Sequence, residues 1–272
     1  MKRSAFFVSD RTGITVEMLG RSLLTQFDAV TFDEHTLPFV DTVEKARDVV
    51  AQINRAGQSA GSRPLVFSTL VNADVSAIVA TANGLHLDLF DVFIAPMEEE
   101  LGVRSTHTVG RSHSVNDLMN YHRRIEAINY SLSHDDGLSV RDLSDADIIL
   151  IGVSRSGKTP TCLYLALQFG IRAANYPLLP EDLGANGLPA PLKHVRPRLF
   201  GLTIAPDRLQ RIRSERKPGS RYAQLSSCQR EVREAEALMR QEGIPYLDVS
   251  TKSIEEIATT ILHRANLVRH LY

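Results

Sequence analysis

Ala146-Asp147-Ile148-Ile149-Leu150-Ile151-Gly152-Val153-Ser154-Arg155-Ser156-Gly157-Lys158-Thr159-Pro160 is the stretch on which the reading of this chain turns. Its unbroken aliphatic run predicts a strand buried on both faces, the kind found in parallel sheets. Gly152 through Thr159 then fits G-x-x-x-x-G-K-[ST] without a mismatch. Pro160 follows at a position where the first turn of a helix tolerates it, because that N–H has no intrahelical partner. Strand, loop and helix thus stand in the order a phosphate-binding loop requires. Gly152 and Gly157 permit backbone angles that a side chain forbids, so the N–H groups of Val153, Ser154, Arg155 and Ser156 can converge on phosphate oxygens. The helix opening near Lys158 adds its positive end. Lys158 brings a mobile ammonium charge, and the Thr159 hydroxyl is the expected magnesium ligand. Arg155 is an extra cation inside the loop. The plainer alternative, a glycine-containing connecting turn, has less to recommend it once the flanking elements are in place.

Working outward, the first hundred residues alternate short apolar runs with helical periodicity. Strands are expected at Ala5–Ser9, His35–Val40 and Leu65–Ser68, and helices over 15–27, 42–56 (stopped by Gly57) and after Asn72. Beyond the loop, strands are expected at Leu199–Ile204 and Pro245–Val249. A long helix is expected over 221–241, and a last helix opens on the capping box Ser253-Ile254-Glu255-Glu256. Such alternation implies an α/β protein of two units with mostly parallel sheets, the C-terminal one P-loop kinase-like. We divide it as an N-terminal α/β domain (1–105), a largely helical connector (106–142) and a nucleotide-binding catalytic domain (143–272). No repeat at a fixed period is visible.

Composition sets limits. The chain has 272 residues, 43% of them hydrophobic, enough for a sizeable core without disulfide staples. Its 31 Lys+Arg against 32 Asp+Glu argue against bulk electrostatic binding of nucleic acid. No apolar run approaches the roughly 18 residues of a membrane span. Asp10 and Arg11 interrupt the N-terminal apolar run too early for a signal peptide. Cys162 and Cys228 have neither zinc nor disulfide spacing, so a reduced, cytoplasmic protein is the default.

Other constellations say less. His134-Asp135-Asp136-Gly137 could orient an attacking hydroxyl or hold a metal, or could simply turn the chain after a helix over 115–133. Asp207 and Asp248 stand near strand ends, where a magnesium-holding aspartate or a helix cap is equally at home. Arg208, Arg211, Arg213, Arg216, Lys217 and Arg221 crowd one segment, as a solvated face or as cations that fold over a nucleotide. His107, His113, His122 and His134 lack ligand spacing. Asp10-Arg11-Thr12-Gly13-Ile14-Thr15 occupies the first strand-to-helix turn, without a dinucleotide fingerprint.

Longer runs carry a resemblance. Ser9-Asp10 with Thr12-Gly13-Ile14-Thr15, Arg63-Pro64-Leu65-Val66-Phe67, Tyr121 through Gly137, Gly157-Lys158-Thr159-Pro160-Thr161, Phe169 through Pro177, Phe200 through Ile204 and Ser253 through Ala258 all take part. In them the chain resembles the bacterial phosphoenolpyruvate synthase regulatory proteins, cousins of the regulator of pyruvate, phosphate dikinase. Arg11, where that family usually has glycine, and Cys162, where serine is common, depart from its pattern. The resemblance implies a bifunctional enzyme. It would phosphorylate a threonine of phosphoenolpyruvate synthase with ADP as donor, and remove that phosphate with inorganic phosphate, releasing pyrophosphate. Gly157 and the Tyr164–Pro177 run favour the synthase over the dikinase as partner.

On this reading Gly152, Val153, Ser154, Arg155, Ser156, Gly157, Lys158 and Thr159 bind ADP, and Thr159 holds magnesium. Lys158 is catalytic, and Asp136 or Asp135 orients the acceptor. No nucleic-acid or membrane partner is expected, and a homodimer is the default for a cytosolic regulator. Two rivals are a P-loop small-molecule kinase using ATP and a non-catalytic, ADP-sensing binding protein.

Overall fold

The computed structural model describes residues 2–106, 117–136, 142–183 and 187–268. The chain divides into two compact units, Met1–Ser114 and Val115–Tyr272. The first contains β1 (Lys2–Ser9), α1 (Ile14–Leu24), β2 (Thr31–Leu37), α2 (Val43–Ala60), β3 (Leu65–Thr69), α3 (Ala73–Val79), β4 (Leu85–Asp88) and α4 (Asp91–Leu101). Its four strands are all parallel in the order β2-β1-β3-β4. Alternation along β1 explains how both faces become covered. Phe6 and Val8 pack with Val49 and Ile53 of α2 and with Val75 of α3, whereas Ala5 and Phe7 pack with Val16 and Leu24 of α1.

The second unit contains α5 (Asp117–Ser133), β5 (Ile148–Gly152), α6 (Lys158–Phe169), β6 (Ala173–Pro177), α7 (Pro180–Leu183), β7 (Leu199–Thr203), α8 (Pro206–Arg216), α9 (Leu225–Gln241), β8 (Tyr246–Asp248) and α10 (Ile254–Arg264). Its sheet is likewise all parallel, in the order β6-β5-β7-β8. Every residue of β5 is buried, as its aliphatic run requires. Helix α6 packs against α5 and α10, so the helix of the expected connector is part of the second unit's layers.

The two sheets share one strand order, second-first-third-fourth, although the sequence shows no fixed-period repeat. In each unit the first strand runs into a turn that ends on a left-handed glycine capping the helix that follows it: Gly13 (φ 80°) before α1 and Gly157 (φ 84°) before α6. The turns read Arg11-Thr12-Gly13-Ile14-Thr15 and Arg155-Ser156-Gly157-Lys158-Thr159. In this order the connections leave the first strand in opposite directions, and the crevice beyond its carboxyl end is where open α/β sheets bind ligands.

Several elements depart from the sequence reading for local reasons. Strand β2 starts at Thr31 rather than His35. It lies at the sheet edge, where Asp33 and Glu34 can stay in water, and that polarity hides a strand from an apolar search. Helix α2 runs through Gly57 and stops at Gly61 (φ 59°), the left-handed cap. The stretch over 221–241 is a short 3-10 turn, Arg221–Ala223, followed by α9. The capping box of Ser253 and Glu256 forms at the start of α10, and Asn72 caps α3 by accepting from Asp74 and Val75.

Candidate active site at the end of β5

Gly152 closes β5 at φ 149°, with the Leu202 carbonyl of β7 only 2.2 Å from where a Cβ would stand. A side chain there would collide with a neighbouring strand, so glycine is a condition of the sheet as well as of the turn. The chain then makes a tight turn in which Ser156 N–H donates to Val153 O (3.3 Å). Arg155 adopts φ 76°, left-handed for a non-glycine residue, with its side chain exposed. Such a backbone costs of order 1 kcal/mol or more and persists only where its surroundings hold it. The Ser156 side chain is fully buried, and its hydroxyl has no partner among the described residues.

Lys158, the first residue of α6, is 4% exposed. Its ammonium group turns back into its own loop and donates to Val153 O at 3.0 Å. Burial lowers its pKa to about 8, a shift held in check by the nearby charge of Asp136 and, more weakly, of Asp135. The lysine is therefore a desolvated cation whose charge is poorly compensated.

The next residue organises a polar cluster. Thr159 Oγ1 donates to Asp135 Oδ1 (2.8 Å). Asn175 Nδ2, from the middle of β6, lies 2.6 Å from Asp135 Oδ1, 2.9 Å from Thr159 Oγ1 and 3.2 Å from Asp136 Oδ1. Asn175 is 2% exposed, and its own Oδ1 has no partner among the described residues. The two aspartates reach the loop from the C-terminal end of α5. Asp136 is at φ 48°, and Asn175 N–H donates to His134 O (3.0 Å), which pins this turn to β6. His134 stacks on Tyr130 at 4.0 Å and is buried, a packing role rather than a ligand's.

Lys158, Thr159, Asp135 and Asp136 are thus gathered at one strand end. The same turn also closes α5. Gly137, His107 and His113 lie outside the described residues. Asn175 was missed: one asparagine in a short strand carries no chemical signature, and only its neighbours reveal it. Asp207 and Asp248 are not in the cluster. Asp207 is exposed in the first turn of α8, and Asp248 is exposed and accepts from the Ser250 N–H at 2.8 Å. The cationic run divides. Arg208, Arg211, Arg216, Lys217 and Arg221 are exposed, while Arg213 is fully buried. Cys162 is buried on α6 and its thiol pKa is pushed up by that burial, so it is inert.

No group of three or more His, Cys, Asp and Glu among the described residues could hold a metal by itself. Thr159, Asp135 and Asp136 nonetheless offer oxygen donors, the type that magnesium takes when phosphate and water complete its shell. Among the described residues no helix is long and apolar enough to cross a membrane.

Comparison with known proteins gives this arrangement its context. The kinase/pyrophosphorylase family model matches residues 5–262. A protein of Herminiimonas arsenicoxydans is 56% identical over 260 residues, covering 96% of this chain and 92% of the relative. One of Alkalilimnicola ehrlichii is 57% identical over 271 residues, covering 100% and 98%. One of Hahella chejuensis is 51% identical over 271 residues, covering both chains completely. All three bear the name "Putative phosphoenolpyruvate synthase regulatory protein".

Proposed function

Because the chain belongs to the kinase/pyrophosphorylase family, we propose that it regulates phosphoenolpyruvate synthase by phosphorylating a threonine with ADP and by removing that phosphate with inorganic phosphate. The observation that carries the reading is the meeting of a buried lysine and two carboxylates at a glycine-bounded strand-to-helix turn. The turn from Gly152 to Thr159 is then a P-loop. Its amides and the N-terminus of α6 receive the diphosphate, and Lys158 leaves Val153 O to meet the terminal phosphoryl group.

In the forward direction the threonine oxygen forms a bond to the β-phosphorus, the bond from that phosphorus to its bridging oxygen breaks, and AMP leaves. In the return direction an oxygen of inorganic phosphate attacks the phosphothreonine. The P–Oγ bond breaks, the threonine takes up a proton, and pyrophosphate leaves. One anion cradle serves both, since each reaction places a diphosphate on one side and a threonine on the other.

The two carboxylates divide the work. Asp135 Oδ1 already accepts from Thr159 and Asn175, so Asp135 orients the Thr159 hydroxyl. Asp136 is exposed and receives only the longer Asn175 contact among the described residues, which leaves it the lone pairs to take the acceptor's proton. Magnesium bound by Thr159 and Asp135 would neutralise charge on the phosphate oxygens. The work is that of a cytoplasmic enzyme.

Mass spectrometry of phosphoenolpyruvate synthase incubated with this protein, ADP and magnesium tests the proposal. A new phosphothreonine, removed again on adding phosphate with release of pyrophosphate, is the expected result. A synthase that stays unmodified returns the choice to an ATP-dependent small-molecule kinase or a non-catalytic ADP sensor.

A further inference from the structure

Arg213 is a fully buried arginine, on a helix whose neighbouring cations are exposed. From α8 its Nη2 donates to Glu231 Oε2 of α9 (2.8 Å) and to the backbone carbonyl of Ser154 (3.1 Å). Its Nη1 donates to Tyr222 O (3.1 Å), and the guanidinium carbon lies 4.0 Å from the centre of the Tyr222 ring. Tyr222 in turn shares a hydrogen bond with Ser154 through their hydroxyls, at 2.9 Å. The guanidinium Nε has no partner among the described residues. A core salt bridge alone would require Glu231. It would not require a charge-assisted bond to a loop carbonyl, nor leave one buried donor unmet to obtain it.

The consequence lies in the peptide plane. The described chain has no cis peptide bonds, and in a planar trans peptide the C=O and the following N–H point in opposite directions. Anchoring Ser154 C=O on Arg213 therefore turns the Arg155 N–H away from the protein interior, just before the left-handed residue that shapes the turn. We infer that Arg213 is a positioning residue for the loop: its guanidinium, held by Glu231 and Tyr222, fixes the Ser154–Arg155 peptide so that the loop amides face an incoming phosphate. The inference rests on the reading of the loop as a phosphate cradle. Glu231 and Tyr222 act through Arg213 and belong to the same clamp.

The test uses the full chain and two variants. Arg213→Lys keeps a positive charge beside Glu231 but cannot span both carbonyls. Arg213→Met with Glu231→Gln removes the buried charge and its partner together. Titration calorimetry with ADP and magnesium is expected to show at least a tenfold weaker affinity in both. The Ser156 amide, which closes the turn on Val153 O, is expected to exchange at least tenfold faster, while the β5 amides keep their protection. Wild-type affinity and unchanged Ser156 exchange in Arg213→Lys would overturn the inference. So would equal loss of protection in loop and β5, which would make Arg213 a core residue and nothing more. Should the wild-type protein bind no ADP, the proposed function fails instead, and the exchange measurement, which needs no ligand, still decides the role of Arg213.

Discussion

At the scale of single residues, Lys158 makes a measurable trade. Its pKa falls from 10.5 to about 8 because burial disfavours the ammonium form. Between those values the unfolded chain binds more protons than the folded one, so the destabilisation this group causes is full below about pH 8 and fades as pH rises towards 10.5. The shift corresponds to roughly 3 kcal/mol carried as a burden at neutral pH. Lys158→Met is therefore expected to raise the unfolding free energy at pH 7 by about 1–3 kcal/mol while abolishing both phosphoryl transfers. Denaturation at pH 7 and pH 10 should show the gap between variant and parent narrowing at the higher value. A parallel expectation concerns binding. ADP affinity should be constant below pH 8 and decline above it, as the ammonium loses its proton, which calorimetry across that range would reveal. Asn175→Ala strips a donor from Asp135 and Thr159 together and should cost about 1–3 kcal/mol with a larger loss in kcat than in ADP affinity; equilibrium unfolding and steady-state kinetics check the pair. Lys158 and Thr159 are legible in sequence because the motif fixes residue type and spacing at once. Asn175 is not, because its role is created by strand pairing, where Leu150 of β5 lies opposite it.

At the scale of elements, β5 and β7 approach closely at Gly152. Gly152→Ala would set a methyl group 2.2 Å from the Leu202 carbonyl and force a β-carbon onto φ 149°. Overpacking of this kind costs about 1–3 kcal/mol, and here the obstacle is backbone that cannot rotate aside. We expect a lowered urea midpoint and loss of ADP binding, whereas Ser253→Ala, which removes only the cap of α10, should cost about 1 kcal/mol and leave binding intact. Strand β5 could be read directly because it is buried on both faces. Strand β6, Ala-Ala-Asn-Tyr-Pro, could not: it is five residues long, and its small and polar side chains owe their place to β5. Strand β4 and helix α4 also escaped notice. Leu85-His86-Leu87-Asp88 is only four residues, and α4 buries none of its side chains, so neither presents the periodicity that a core imprints on sequence.

At the scale of the whole molecule, every residue of the proposed phosphate site and of its proposed clamp falls within Val115–Tyr272. A fragment of those residues is expected to bind ADP within threefold of the full chain, and the Met1–Ser114 fragment, which has Ile14 where the other turn has Lys158, is expected to bind none; calorimetry on the separate fragments checks both. The two-unit α/β plan was readable from the alternation of runs. The shared strand order was not, since packing sets topology, and only four of the five positions at the two turns are alike in residue type. One feature of the second unit has a mechanical meaning. Asp135 and Asp136 come to the turn on the tip of α5, not on a strand of the sheet that carries the lysine. Strands in a sheet are locked to their neighbours by a ladder of bonds, whereas the tip of α5 is tied to β6 through the Asn175 N–H to His134 O bond. Because each residue of a helix advances the chain by about 1.5 Å, a slip of α5 by a single residue would carry both acids out of hydrogen-bond range at once. Both acids therefore move with one helix end, and a shift of that end would withdraw them together.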